Sequence, residues 1–277
     1  NGKGSVCAML STILNRAGFK VGTYTSPHIE RYNERISIDL QPVSDQRLLQ
    51  SFAAVDAARG ETSLTYFEFG TLAAMHAFID EGVEVAVLEV GLGGRLDAVN
   101  VFEPDVSVVV SVDLDHQAYL GDNREDIGFE KAGIFRAGKP AICADPQPPQ
   151  RLLQHAAAIG ADLKLYGRDF GFNRVEVQWS FFMGERHRHA LPIPALRGGY
   201  QMANASAALA ALECLRDRLP VSMGAIKQGL IEVDWPGRFQ VLPGRPAVVL
   251  DVGHNPHAVR AMVASLRQLP FAENRYA

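Results

Sequence analysis

Glu84-Val85-Ala86-Val87-Leu88-Glu89-Val90-Gly91-Leu92-Gly93-Gly94-Arg95-Leu96-Asp97 is a short apolar run that ends on a carboxylate and then enters a glycine-rich turn. Residues 85–90 are near-continuously apolar, not alternating, and residues 106–110 repeat the pattern. Strands of this kind are buried on both faces, as in a parallel sheet covered by helices. Working outward, helical patterns at 65–81 and 124–135 flank the two strands, with a strand at 140–144, a helix at 147–159 and a strand at 162–166 beyond. Upstream lie a helix at 5–17 stopped by Gly18, strands at 19–24 and 36–39, and a helix at 44–59. Short strands alternating with helices predict an α/β fold with a doubly wound, mainly parallel sheet. Residues 171–190 break the pattern: Val175, Val177, Trp179 and Phe181 alternate with polar residues and predict an antiparallel ribbon. Helices at 200–215 and 221–233 follow. Trp235-Pro236-Gly237 then punctuates the chain before strands at 239–242 and 247–250 and a helix at 257–269. The expected division is a nucleotide-binding domain at 1–236 and the beginning of a second, smaller α/β domain at 237–277. With no strand ahead of residue 1 and one helix after residue 256, both ends are expected to be truncated.

The 277 residues are 47% hydrophobic and 21% charged, enough for a large packed core. A net charge of −4 argues against a nucleic-acid partner, which selects a basic excess. The longest apolar runs fall far short of the ~20 residues of a membrane span. Cys7, Cys143 and Cys214 are widely spaced, show no metal pattern and fit a reducing, cytoplasmic setting as small apolar residues.

The chemistry-bearing residues fall at strand ends. Asn1-Gly2-Lys3-Gly4-Ser5 opens directly into a helix. Backbone N–H groups and a helix N-terminus cradle phosphates, a lysine adds a point charge and a hydroxyl binds Mg²⁺. In open parallel sheets ligands bind at the carboxyl ends of strands, and there stand Thr25-Ser26-Pro27-His28, Glu89, and Asp113-Leu114-Asp115-His116. Oxygen ligands with one imidazole suit Mg²⁺ or Mn²⁺ held against phosphates. Bland readings stand beside these. Ser26 before Pro27 starts a turn, Glu89 is a lone strand-end carboxylate, His116 caps a loop, and Lys131 snorkels from a helix surface. Thr65 and Glu68 fit a helix capping box as well as they fit a substrate role.

Taken together, the chain resembles folylpolyglutamate synthase of the muramyl ligase superfamily, in its bacterial bifunctional form. The resemblance rests on Asn1-Gly2-Lys3-Gly4-Ser5, Thr25-Ser26-Pro27-His28, Asn33-Glu34-Arg35-Ile36, residues 88–100, Asp115-His116, Leu120-Gly121, Glu130-Lys131-Ala132-Gly133-Ile134, Trp235-Pro236-Gly237-Arg238 and Asp251-Val252-Gly253-His254-Asn255-Pro256. It implies that Asn1, Gly2, Lys3, Gly4 and Ser5 hold the ATP phosphates, with Asn204, Arg238 and Asp251 on the nucleotide and His254 near the phosphates. It implies Mg²⁺ on Ser5 and Glu89, and a second magnesium region served by Ser26, His116 and a carbamylated Lys131. Thr65, Tyr66, Phe67 and Glu68, with Leu96, Asp97 and Ala98, match the pterin side. Val99 and Gly253 stand where the family often has Thr and Ala.

The implied reaction is ATP-dependent. A carboxylate of dihydropteroate or folate is phosphorylated to an acyl phosphate, and the amine of L-glutamate displaces phosphate. Lys3, His116, Lys131 and His254 are the candidate catalytic residues. The expected partners are small molecules, with no nucleic acid or membrane, and the expected state is a monomer. The rival readings are a cell-wall muramyl amino-acid ligase and a non-catalytic P-loop nucleotide-binding fragment.

Overall fold

The structure, a computed structural model, describes residues 1–114, 121–175 and 178–267. Helix α1 (Lys3–Arg16) leads into β1 (Val21–Tyr24), then β2 (Ile36–Ile38), β3 (Gln41–Pro42), α2 (Asp45–Arg59), α3 (Tyr66–Asp80) and β4 (Val85–Leu88). Next come β5 (Ser107–Val109), α4 (Arg124–Ala132), β6 (Pro140–Cys143), α5 (Gln150–Ile159) and β7 (Asp162–Leu165). Strands β8 (Phe170–Val175), β9 (Gln178–Met183) and β10 (Arg186–Pro192) precede α6 (Gln201–Cys214), α7 (Met223–Glu232), β11 (Gln240–Leu242), β12 (Val248–Leu250) and α8 (Pro256–Arg267).

Strands β1 and β4 pair in parallel, as do β5 with β6 and β6 with β7. These ladders fall into two hydrogen-bonded groups, ordered β3-β2-β1-β4 and β5-β6-β7. The expected parallel character therefore holds at the centre. Strands β2 and β3 instead fold back antiparallel on the edge.

Helices cover both faces. On one face Val21, Val87 and Ile142 join Met9, Ile13, Ala208, Leu209, Ile226 and Leu230 in a single core built on α1, α6 and α7. On the other face Tyr24 and Ile36 pack with Ala74, Ala77 and Phe78 of α3. Val109, Ala141, Cys143 and Leu165 pack there with Ile127, Ala132, Leu152 and Ala156 of α4 and α5. Ala86 departs from the expected two-sided burial: it is exposed in β4, the last strand of its group. The ribbon is a three-stranded antiparallel sheet. Its Phe170, Trp179, Phe181 and Leu191 turn into the first core, and Trp179 Nε1–H donates to the Pro192 carbonyl at 2.7 Å. Burying side chains of this size contributes about 1.5–3 kcal/mol each.

Several element ends fall short of the expected ranges, for local reasons. Past Ala132 the N–H groups of Ile134 and Phe135 bond three residues back, to Lys131 and Ala132, so the last turn tightens and stops. Helix α5 begins at Gln150 because Pro148 and Pro149 precede it and the Gln147 N–H is held by Asp145 at 2.8 Å. Cys7 and Cys143 are buried as expected, whereas Cys214 is only half-buried. Among the described residues no helix is long and apolar enough to cross a membrane.

Candidate functional site

The carboxyl ends of β1, β4 and β5, the N-terminus of α1 and the segment after Trp235 enclose one cleft of about 1620 Å³. Gly2 caps α1 with φ 88°, in the left-handed region that favours glycine. A Cβ there would also lie 2.8 Å from Asn204 Oδ1, and one on Gly4 would lie 2.9 Å from Trp235 Nε1. The loop is thus packed as bare backbone between α6 and the tryptophan, with its N–H groups at the helix end. Ser5 is fully buried and its hydroxyl accepts from Gln201 Nε2 at 3.3 Å. Asn204 Nδ2 donates to Gln201 Oε1 at 2.9 Å, so the side chain that packs on Gly2 is also tied to the partner of Ser5. Asn1 and Asn255 exchange two side-chain amide hydrogen bonds of 3.2 Å, joining the start of the cleft to α8. Lys3, Ser5, Asn204, Arg238, Asp251 and His254 all line this cleft.

Glu89 follows β4 directly, and its own N–H donates to the Tyr24 carbonyl at 2.8 Å. That pairing sets it beside Ser26, whose N–H donates to Glu89 Oε2 at 3.2 Å. Glu89 is 6% exposed. Burial raises its pKa, and the charges of Lys3 and Arg238 with the Ser26 N–H offset part of the rise. Ser26 and Glu89 therefore share a rim, as the strand-end reading predicts. His116, the third member expected there, lies outside the described residues. Lys131 lies in the last turn of α4 and lines the same cleft, while Ile127 and Ala132 of that helix are fully buried and Ile134 is half-buried. The glycine-rich turn is tied to this helix: the Arg95 N–H donates to the Glu130 carbonyl at 2.8 Å, and the Arg95 guanidinium pairs with the Glu130 carboxylate at 2.9 Å.

The expected pterin-side residues divide. Tyr66 and Phe67 line the cleft. Thr65 and Glu68 form the capping box of α3: Thr65 N–H donates to Glu68 Oε2 at 2.7 Å, and Glu68 N–H donates to Thr65 Oγ1 at 3.2 Å. Those bonds hold the Glu68 carboxyl below its usual range. Asp97 lines the cleft but accepts from Leu92 N–H at 2.9 Å and Val99 N–H at 3.0 Å, pinning the glycine-rich turn. Burial raises its pKa against the pull of those N–H groups. Leu96 is 80% exposed, and neither it nor Ala98 lines the cleft. Asp251 also spends both oxygens on backbone, on Phe239 N–H at 2.9 Å and Gly253 N–H at 2.7 Å. His254 Nδ1 donates to the Val252 carbonyl at 3.0 Å, which leaves Nε2 for a ligand.

Sequence reasoning passed over three groups. Asp145, 4% exposed at the end of β6, accepts from Val112 N–H, Gln147 N–H and Arg124. Its strand-end position was the available signal. Arg35 and Asn255 sit inside motifs quoted for the resemblance but carried no assigned role. Among the described residues no three His, Cys, Asp or Glu side chains cluster as a ready metal site. The hard oxygens of Ser5, Ser26 and Glu89, with one carboxylate already forced out of water, suit Mg²⁺ completed by nucleotide phosphates.

The family model described as "Mur ligase middle domain" matches residues 1–212, so the helix N-terminus stripped to backbone and the buried carboxylate both lie within a Mur ligase middle domain. The chain belongs to the dihydrofolate synthase/folylpolyglutamate synthase family. It is 44% identical over 98% of its length to "Dihydrofolate synthase/folylpolyglutamate synthase" of Escherichia coli (strain K12), and covers 63% of that relative. Its fold is similar to that of "E.coli FolC in complex with DHPP and ADP", with a TM-score of 0.93 and 44% identity over 98% of this chain and 64% of that one. It is also similar to a Yersinia pestis bifunctional folylpolyglutamate synthase/dihydrofolate synthase complexed with AMPPNP and Mn ion, with a TM-score of 0.91 and 47% identity over 97% and 64%. The chain thus spans somewhat under two thirds of the length of these relatives.

Proposed function

We propose that this chain is the nucleotide-binding part of an ATP-dependent ligase that joins L-glutamate to the carboxylate of dihydropteroate, of folate, or of both. The observation that carries the reading is Glu89: a nearly buried carboxylate beside the Ser26 N–H, in one cleft with Lys3 and the α1 N-terminus. Residues 1–5 hold the ATP phosphates, and Arg238, Asn204 and Asp251 stand on the nucleotide side. Ser5 and Glu89 would hold Mg²⁺, whose charge would offset that of the transferring phosphoryl group. Ser26, His116 and Lys131 serve a second Mg²⁺, with Lys131 carbamylated so that a cation becomes a carboxylate. Tyr66 and Phe67 offer the aryl substrate an aromatic wall. The substrate carboxylate takes the γ-phosphoryl group, and the glutamate amine then displaces phosphate and loses its proton to solvent. Residues 1–236 and 237–277 are assigned to the central and C-terminal ligase domains, and the protein to the cytoplasm as a monomer.

The test uses the full-length protein with ATP, Mg²⁺, L-glutamate and ¹⁸O-carboxylate-labelled dihydropteroate or tetrahydrofolate. One ADP per new amide bond, with one ¹⁸O delivered to the released phosphate, is the expected result. Turnover of muramyl precursors instead, or nucleotide binding with no ligation, would overturn the reading.

A further inference from the structure

Arg35 brings a charge into the cleft that no carboxylate of the described residues answers. It is 8% exposed and lines the cleft together with His28. Its Nε–H donates to His28 Nδ1 at 2.9 Å, and its guanidinium carbon lies 5.4 Å from the ring centroids of both Tyr32 and Tyr66. The Tyr24 hydroxyl is a further polar neighbour of the guanidinium. Among the described residues no Asp or Glu pairs with it. Glu34, the adjacent residue, spends its carboxylate on the N–H groups of Ile29, Glu30 and Arg31. A cation taken out of water is costly unless it is paired, and the two tyrosine faces offset only part of that cost. The unused N–H groups of a guanidinium form a fork that fits a carboxylate.

The position of Arg35 selects which carboxylate. Its carbonyl accepts the Thr25 N–H at 2.9 Å, one residue before Ser26. Its side chain lies on the aromatic side of β1, among Tyr24, Tyr32 and Tyr66, whereas the phosphate cradle is built on α1. A carboxylate gripped by a guanidinium is a weak nucleophile, so the group held here is a bystander to phosphoryl transfer. Of the two aryl substrates, dihydropteroate has a single carboxylate, the one that reacts. A folate carries two, the γ-carboxylate that is extended and the α-carboxylate next to it. We propose that Arg35, with His28 fixing its Nε, is the specificity residue that binds the α-carboxylate of a folate substrate, and so recognises the chain-extension substrate by a contact that dihydropteroate cannot make. This rests on the ligase reading above.

The experiment compares monoglutamyl tetrahydrofolate with its α-carboxamide, which keeps the γ-carboxylate, as substrates of the full-length protein. Wild type is expected to favour the α-carboxylate by about 10- to 100-fold in kcat/KM, mostly through KM, as for other hydrogen bonds to a charged group. Arg35→Gln should reduce that preference to within about threefold while leaving the KM for ATP unchanged. Arg35→Lys, which keeps the charge and loses the fork, should fall between. A wild-type protein that extends the α-carboxamide as well as the acid overturns the proposal whatever the variants do. So does an Arg35→Gln or Arg35→Lys protein with the full wild-type preference. If Arg35→Gln does not fold, the lysine variant and the wild-type preference decide. A wild type that ligates glutamate to neither compound, nor to dihydropteroate, overturns the ligase reading itself.

Discussion

Glu89 is where stability and function pull in opposite directions. Burial holds its carboxyl above the ordinary range, so the folded protein binds that proton more tightly than the unfolded chain does. Its contribution to stability is full below the unfolded value, about pH 4.3, and is lost as pH rises through the folded value. At neutral pH, without metal, the ionised side chain is a net cost. Glu89→Gln keeps the shape and removes the charge. It should melt higher than wild type at pH 7 without metal, with the advantage shrinking toward pH 4, and each kcal/mol corresponds to about 2–4 °C. The same variant should lose on the order of 10²-fold in turnover. Calorimetry across pH and a steady-state assay at saturating Mg²⁺ check the two halves; unchanged turnover would make Glu89 structural only. Lys131→Ala in the full-length protein should nearly abolish ligation, with partial rescue by acetate, and ¹³C NMR with labelled bicarbonate should show a carbamate in wild type alone. Full activity in Lys131→Ala with no carbamate signal would return it to an ordinary helix lysine.

At the scale of elements, periodicity carried the reading furthest where one neighbour dominates. The apolar runs at 85–90 and 106–110 are strands between helix layers because Val87 and Val108 face the α1 and α6 core while Leu88 and Val109 face the opposite helices. The antiparallel return through β2 and β3 was not legible, since it depends on which edge the loop after Tyr24 finds. The same limit hid Arg35: its role comes from Tyr66, thirty-one residues along the chain, folding over its guanidinium. Thr65 and Glu68 were legible in both of their readings, and the structure places them in the cap. Thr65→Ala should therefore cost about 1 kcal/mol of stability, measured by denaturant titration, with little change in kcat. A large kcat loss without a stability loss would restore the substrate role. Gly2→Ala should do the reverse of a surface change. At φ 88°, with Asn204 Oδ1 2.8 Å from the new Cβ, it must distort the loop. Nucleotide affinity measured by calorimetry should fall at least tenfold; retained affinity would remove the loop from the phosphate site.

Across the whole molecule, the cleft has two owners. Residues 1–236 supply the α1 cradle, Glu89 and Lys131, and the segment after Pro236 supplies Arg238, Asp251 and His254. The two sides meet at the paired amides of Asn1 and Asn255, at Arg260 with Asp113 at 3.4 Å, and at Gly4 and Gly198, where an added Cβ would lie 3.3 Å from the Arg238 guanidinium and the Ser265 hydroxyl respectively. Small two-stranded sheets such as β11 and β12 are marginal alone, so this segment gains most from anything bound between it and the body. A ligand that contacts both sides stabilises the closed arrangement in proportion to its occupancy. Hydrogen exchange on the full-length protein should show this as a local effect. With AMPPNP and Mg²⁺, the amides of Phe239 and Gly253, which the Asp251 carboxylate already holds, should exchange at least tenfold more slowly, while those of the buried ribbon strand β9 should not change. Asn255→Ala removes the amide pair at Asn1 while leaving Gly2, Lys3, Gly4 and Ser5 unaltered, so it should speed exchange of the same two amides in the absence of nucleotide and leave less of the difference after binding. Equal protection at Phe239 and Gly253 with and without nucleotide would place the nucleotide on the body alone and assign Arg238, Asp251 and His254 to holding the segment in place.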